Sequence, residues 1–139
     1  MKLLNTYTLE IKKSKFICYY YEVNTVEEVK NIIESLKKDY KLNNKEKKEL
    51  MRAFVSYLID ESNGNKYQEE ISSFIIKKSD DKEPSGTSGM PILNIIEKNN
   101  LNHTLIAIVR YFGGIKLGKG GLIRAYGTAA KEGIKLDQK

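Results

Sequence analysis

The spacing of hydrophobic positions changes several times along the chain, and each change marks a new element. Residues 5–11 and 15–23 are rich in Thr, Tyr, Ile and Val and flank Lys12-Lys13-Ser14, which predicts two short strands joined as a hairpin. From Val26 the period lengthens: Val26, Val29, Ile33, Leu36 and Tyr40 recur at spacings of three and four, the pattern of a helix with one apolar face. Thr25 stands three residues before Glu28, and such a pair satisfies the first helical amides reciprocally as a capping box.

The dense mixed charge of residues 41–50 predicts a solvated loop or a short exposed helix. Residues 53–59 and 67–76 then read as a second hairpin around the turn signal Asn63-Gly64. No periodicity runs through Ser79–Gly89, after which Pro91, Ile92, Ile95 and Ile96 predict a short helix with Ser88 as its candidate cap. Leu105–Val109 is an unbroken apolar run, expected of a central strand covered on both faces, or on one face and by an edge helix. The last element, residues 121–135, puts Leu122, Ala125, Tyr126, Ala129 and Ala130 on one side of a helix, small enough for close packing on a sheet.

This order predicts an α+β fold in which a mostly antiparallel sheet carries its helices on one face. With no internal repeat, low-complexity tract or linker in 139 residues, a single domain spanning 1–139 is expected.

Composition then removes whole classes of function. Mean hydropathy is −0.48 and no apolar run approaches the roughly 20 residues of a membrane span, so no membrane association is expected. The first residues turn polar after two leucines without a secretory pattern, which makes a cytoplasmic location the expectation. One cysteine, Cys18, offers neither an intrachain disulfide nor a thiolate metal site, and its strand-like flanks make it a small buried hydrophobe. His103 is the sole histidine, which excludes a multi-histidine centre, and it reads as a surface residue. No metal, cofactor or catalytic residue is assigned.

Charge is informative by its location. Residues 1–76 hold 13 basic against 12 acidic side chains, residues 77–100 hold 4 against 4, and residues 101–139 hold 7 against 2. The positive excess therefore belongs to the C-terminal end, where Gly113, Gly114, Gly118, Gly120, Gly121 and Gly127 also fall. The run Arg110-Tyr-Phe-Gly-Gly-Ile-Lys-Leu-Gly-Lys-Gly-Gly-Leu-Ile-Arg124 leads from a strand into a helix. A helix start exposes amide N–H groups, and glycines let an anion approach the backbone, so this segment is the candidate phosphate or nucleic-acid site. Its residues are Arg110, Tyr111, Gly113, Gly114, Lys116, Gly118, Lys119, Gly120, Gly121 and Arg124, with Tyr111 or Phe112 available to stack on a base. Gly113 to Lys119 matches a phosphate-loop pattern except that Gly120 replaces the hydroxyl residue that holds magnesium, which argues against nucleotide hydrolysis.

A second candidate loop holds Asp80, Asp81 and Glu83 with Ser85 and Thr87, residue types suited to magnesium or acid–base chemistry but equally to ordinary turn formation and helix capping.

These two segments, Ser79 to Leu93 and Arg110 to Tyr126, resemble the two signature blocks of the IMPACT family, whose bacterial branch is the YigZ type. Lys13-Ser14-Lys15-Phe16-Ile17 resembles the family's N-terminal motif, so the likeness runs from Lys12 to Tyr126. It implies the N-terminal IMPACT domain, with a fold similar to the second domain of ribosomal protein S5. The chain departs from the family pattern with Lys82 in place of glycine, Met90 in place of lysine, Lys119 in place of threonine, and Arg52-Ala53 where His-Asn is usual. Bacterial members usually continue into a smaller ferredoxin-like C-terminal domain, and here that half is expected to be absent.

The resemblance implies a link to translation or its regulation but no settled enzymatic activity. Combined with the basic terminal third, it points first to a non-catalytic module that binds RNA or the ribosome. Two other classes stay open: a protein–protein adaptor in translational or stress control, and an enzyme acting on a phosphorylated small molecule.

Overall fold

A computed structural model describes residues 1–43, 51–60, 66–71 and 86–136. Strands β1 (Lys2–Ile11) and β2 (Ser14–Glu22) form the first hairpin, followed by helix α1 (Val26–Asn43). Strands β3 (Met51–Asp60) and β4 (Lys66–Ile71) form the second, and α2 (Gly89–Lys98), β5 (Thr104–Tyr111) and α3 (Gly118–Gly133) complete the order. The five strands make one sheet in the order β1-β2-β5-β3-β4, and all four pairings are antiparallel.

The first hairpin turns through two residues, Lys12 at φ 46° and Lys13 at φ 67°. Left-handed backbone at both positions matches the twist of tight hairpins, where Asn-Gly is the favoured pair, and costs a side-chain-bearing residue about 1–2 kcal/mol. The capping box forms as its spacing predicts: the Glu28 amide donates to Thr25 Oγ1 at 3.2 Å, and the Thr25 amide donates to Glu28 Oε2 at 3.1 Å. A contact with the Met1 ammonium, and then the Asn24 amide, hold the Glu28 carboxyl below its ordinary pKa.

The pleat of β5 sorts the core into two layers. Ile106 and Ile108, with Phe16, Cys18 and Tyr20 of β2 and Phe54 and Leu58 of β3, face α2 and α3. Tyr126 of α3 anchors this layer, its ring meeting Phe16 at 5.1 Å and Phe54 at 5.4 Å, both edge-on. Leu105 and Ala107, with Val55, Tyr57 and Ile59, face the other way and are covered by Val29, Ile32, Ile33 and Leu36 of α1. The α+β architecture is the one expected, but its helices do not share one face. A strand apolar at every position from 105 to 109 needs cover on both sides, and α1 supplies the second layer.

Cys18 is buried as expected, and burial pushes its thiol up to about 12. Ser88 occupies the residue before α2, yet its hydroxyl does not cap the helix, its φ/ψ of −125°/−74° lying away from capping geometry. The charged segment 44–50 and residues 72–76 of the second hairpin lie outside the described residues, as does the side chain of Tyr40. Among the described residues no helix is long and apolar enough to cross a membrane.

Candidate functional site

The glycine-rich segment leaves the end of β5, crosses residues 112–117 and enters α3 at Gly118. Gly114 and Gly118 take φ of 91° and 73°, backbone that side-chain-bearing residues rarely adopt, so both bends require glycine. Gly113 is required for a different reason. A Cβ there would lie 2.1 Å from the Lys13 carbonyl oxygen, so the loop is pressed directly onto the β1–β2 turn. Ser14, buried in β2, secures the contact by accepting from the Gly113 amide at 3.2 Å and, at a longer 3.4 Å, from Arg110 Nη2.

Arg110, assigned from sequence to the candidate phosphate or nucleic-acid site, is placed inside the protein. It is only 5% exposed, and its guanidinium lies 5.3 Å from the ring centroids of both Phe16 and Phe112. The pleat explains this: Arg110 follows Ile106 and Ile108 at a period of two, so it points under α3 rather than outward. Tyr111, one residue on, faces the opposite side and packs against Ala53 and Val109. Arg110 therefore braces the base of the loop, and Tyr111 does not share a face with α3.

The remaining residues do converge. Gly114, Lys116, Gly118, Lys119, Gly120 and Arg124 are exposed, and Gly113 and Gly121 are partly so. A Cβ on Gly120 would sit 3.5 Å from Arg124 Nη1, so this guanidinium lies back over the first turn of α3. No side chain caps that turn: Leu117 occupies the capping position, and the turn has no acidic residue. Cations thus gather at the positive end of the helix dipole, an arrangement that opposes stability by about 0.3–1 kcal/mol per charge.

Of the second candidate loop, Asp80, Asp81, Glu83 and Ser85 lie outside the described residues, and Thr87 is fully buried. Helix α2 starts over β3, where Ser56 Oγ donates to the Gly89 carbonyl at 2.7 Å, and runs down to the beginning of β5. Helices α2 and α3 therefore run in the same direction on one face of the sheet. Among the described residues no group of three or more His, Cys, Asp or Glu side chains could hold a metal ion. Both neighbours of β5 run antiparallel to it, unlike the parallel sheet of a phosphate-loop nucleotidase.

Residues 12–134 match the model of the Impact N-terminal domain. The chain belongs to the IMPACT family. It is 37% identical over 134 residues to IMPACT family member YvyE of Bacillus subtilis (strain 168), an alignment covering 96% of this chain and 54% of that protein. To IMPACT family member YigZ of Escherichia coli (strain K12) it is 32% identical over 126 residues, or 91% of this chain and 54% of the relative. The chain thus spans about half the length of these curated relatives.

Among solved structures, a crystal structure of a hypothetical protein superposes with TM-score 0.74 at 29% identity, covering 94% of this chain and 56% of the other. The two-domain translational regulator Yih1 superposes with TM-score 0.50 at 18% identity, covering 96% of this chain and 45% of the other, which is agreement in fold alone.

Proposed function

We propose that this IMPACT domain is a non-catalytic, cytoplasmic module that binds RNA, or the RNA of the ribosome, and acts in translation or its regulation. The observation that carries the reading is the exposed set of Lys116, Lys119 and Arg124 around an uncapped helix start that follows the left-handed Gly114 and opens on the left-handed Gly118. This placement is adverse for the helix alone and suited to a phosphate, whose charge would offset both the dipole and the side chains. A translational regulator among the proteins of similar fold supports the setting.

The test is a salt titration of binding to single-stranded RNA, duplex RNA and duplex DNA. Each phosphate engaged by a cation releases counterions, so the native chain is expected to show a negative log–log slope. The Lys116/Lys119/Arg124→Ala variant is expected to have a slope shallower by roughly 2, about 0.7 for each phosphate of a single strand that is no longer neutralised. Absence of binding to all three nucleic acids at low salt would overturn the proposal.

A second reading, a protein–protein adaptor, draws on Ile115 and Ile123, which are 41% and 40% exposed beside these cations. Apolar side chains bordered by charge suit a protein surface. That reading expects a partner whose capture survives nuclease treatment and is abolished in an Ile115/Ile123→Ser variant.

A further inference from the structure

The basic loop is built against a second pair of cations that the C-terminal charge excess does not include. Lys12 and Lys13 are exposed at the tip of the first hairpin, and the backbone of Gly113 rests on the Lys13 carbonyl, a contact across 100 positions of sequence. Ser14 ties the same turn to the loop through the Gly113 amide. The two elements are one continuous surface, not two neighbouring loops.

The turn itself is an odd choice on stability grounds. Both lysines occupy left-handed backbone, where Asn-Gly would be unstrained, so long charged side chains stand where the backbone least favours them. Residues 101–131, which include the whole loop and the first turns of α3, contain no Asp or Glu. Lys15 does not extend the patch: it stands opposite Glu10 in the hairpin register and on the face turned away from Phe16 and α3.

We infer that Lys12 and Lys13 form the second half of the RNA site, so that a ribose-phosphate chain runs from the first turn of α3 onto the β1–β2 turn. This rests on the RNA reading above and adds its extent and mode. Cations drawn from two elements match a run of phosphates better than a single phosphate group. Lysines are point charges on flexible stems, so four of the five cations track a backbone without reading bases, and binding is indifferent to sequence.

The experiment compares the native chain with Lys12→Asn/Lys13→Gly, which removes both charges while supplying the unstrained turn. A Lys12→Gln/Lys13→Gln variant removes the charges and keeps the side-chain length. Binding to single-stranded RNA of two unrelated sequences is measured against salt, beside thermal unfolding. Both variants are expected to bind roughly 10- to 30-fold more weakly at 0.1 M salt, with a slope shallower by about 1.4. The Asn-Gly variant is also expected to melt a few degrees higher. If native binding is weakened by Lys116→Ala/Lys119→Ala but untouched in both turn variants, this inference fails and the loop reading stands. If the native chain binds no RNA, both fail together. A strong preference between the two sequences would overturn the backbone-tracking mode.

Discussion

The two ends of α3 are finished in opposite ways. At its C-terminal end the helix is held by contacts within the protein: Gly133 packs so tightly that an added Cβ would lie 2.3 Å from Cys18 Sγ. Asn5 reaches over from β1 to donate to the carbonyls of Gly133 at 2.9 Å and Lys135 at 3.2 Å, and Lys131 places a cation in the last turn, where the dipole favours one. At the N-terminal end, the first turn has no side-chain cap and carries exposed cations. One end is tied to the sheet by side chains of its own chain, and the other opens on exposed cations with no side-chain cap.

The largest effect is expected from Gly133→Ala, which forces a methyl group into Cys18 and should cost about 1–3 kcal/mol by overpacking. Replacing Cys18 by Ala in the same chain should restore part of that stability. Urea unfolding of the two single variants and the double variant measures the coupling, and strictly additive effects would show that the close approach is not what fixes this end.

Next in size is Asn5→Ala, which leaves two terminal carbonyls without their side-chain donor and should lower stability by about 0.5–1.5 kcal/mol. RNA affinity, measured on the same variant, should not change. If affinity fell with stability, the two ends would not be independent.

The smallest effect has the opposite sign. Gly120 and Gly127 have ordinary helical backbone and room for a methyl group, so Gly120→Ala and Gly127→Ala should each raise stability by up to about 1 kcal/mol. A decrease on Gly120→Ala would mean that the open end is packed as closely as the other, which breaks the contrast.

Elements set by neighbours a few residues apart were legible in the sequence. Thr25 and Glu28 announced their capping box, Leu105–Val109 announced a central strand, and Leu122, Ala125, Tyr126, Ala129 and Ala130 announced the buried side of α3. The side of the sheet that α1 covers was not, because its stripe of Val29, Ile33 and Leu36 fits either face equally well. The site was legible in part. The structure leaves Lys116, Lys119 and Arg124 exposed near the glycines that open α3, whereas charge type alone gave no warning that Arg110 lies inside. That signal existed in the period of two that links Ile106, Ile108 and Arg110. The contact of Lys13 with Gly113 had no local signal, since it depends on β2 and β5 being neighbours in the sheet.

The placement of β5 also governs how the chain is assembled. Of the sheet's five described strands it comes last in the chain, yet it lies in the middle of the sheet, between β2 and β3. About 80 residues separate the end of β2 from the start of β5, so the ribosome takes on the order of 4–16 s to deliver the strand that joins the two hairpins. Until β5 is in place the two hairpins lack the neighbour they share in the sheet. Pairing β5 with β2 is a contact long-range in sequence, and closing a loop of that length slows folding relative to local contacts.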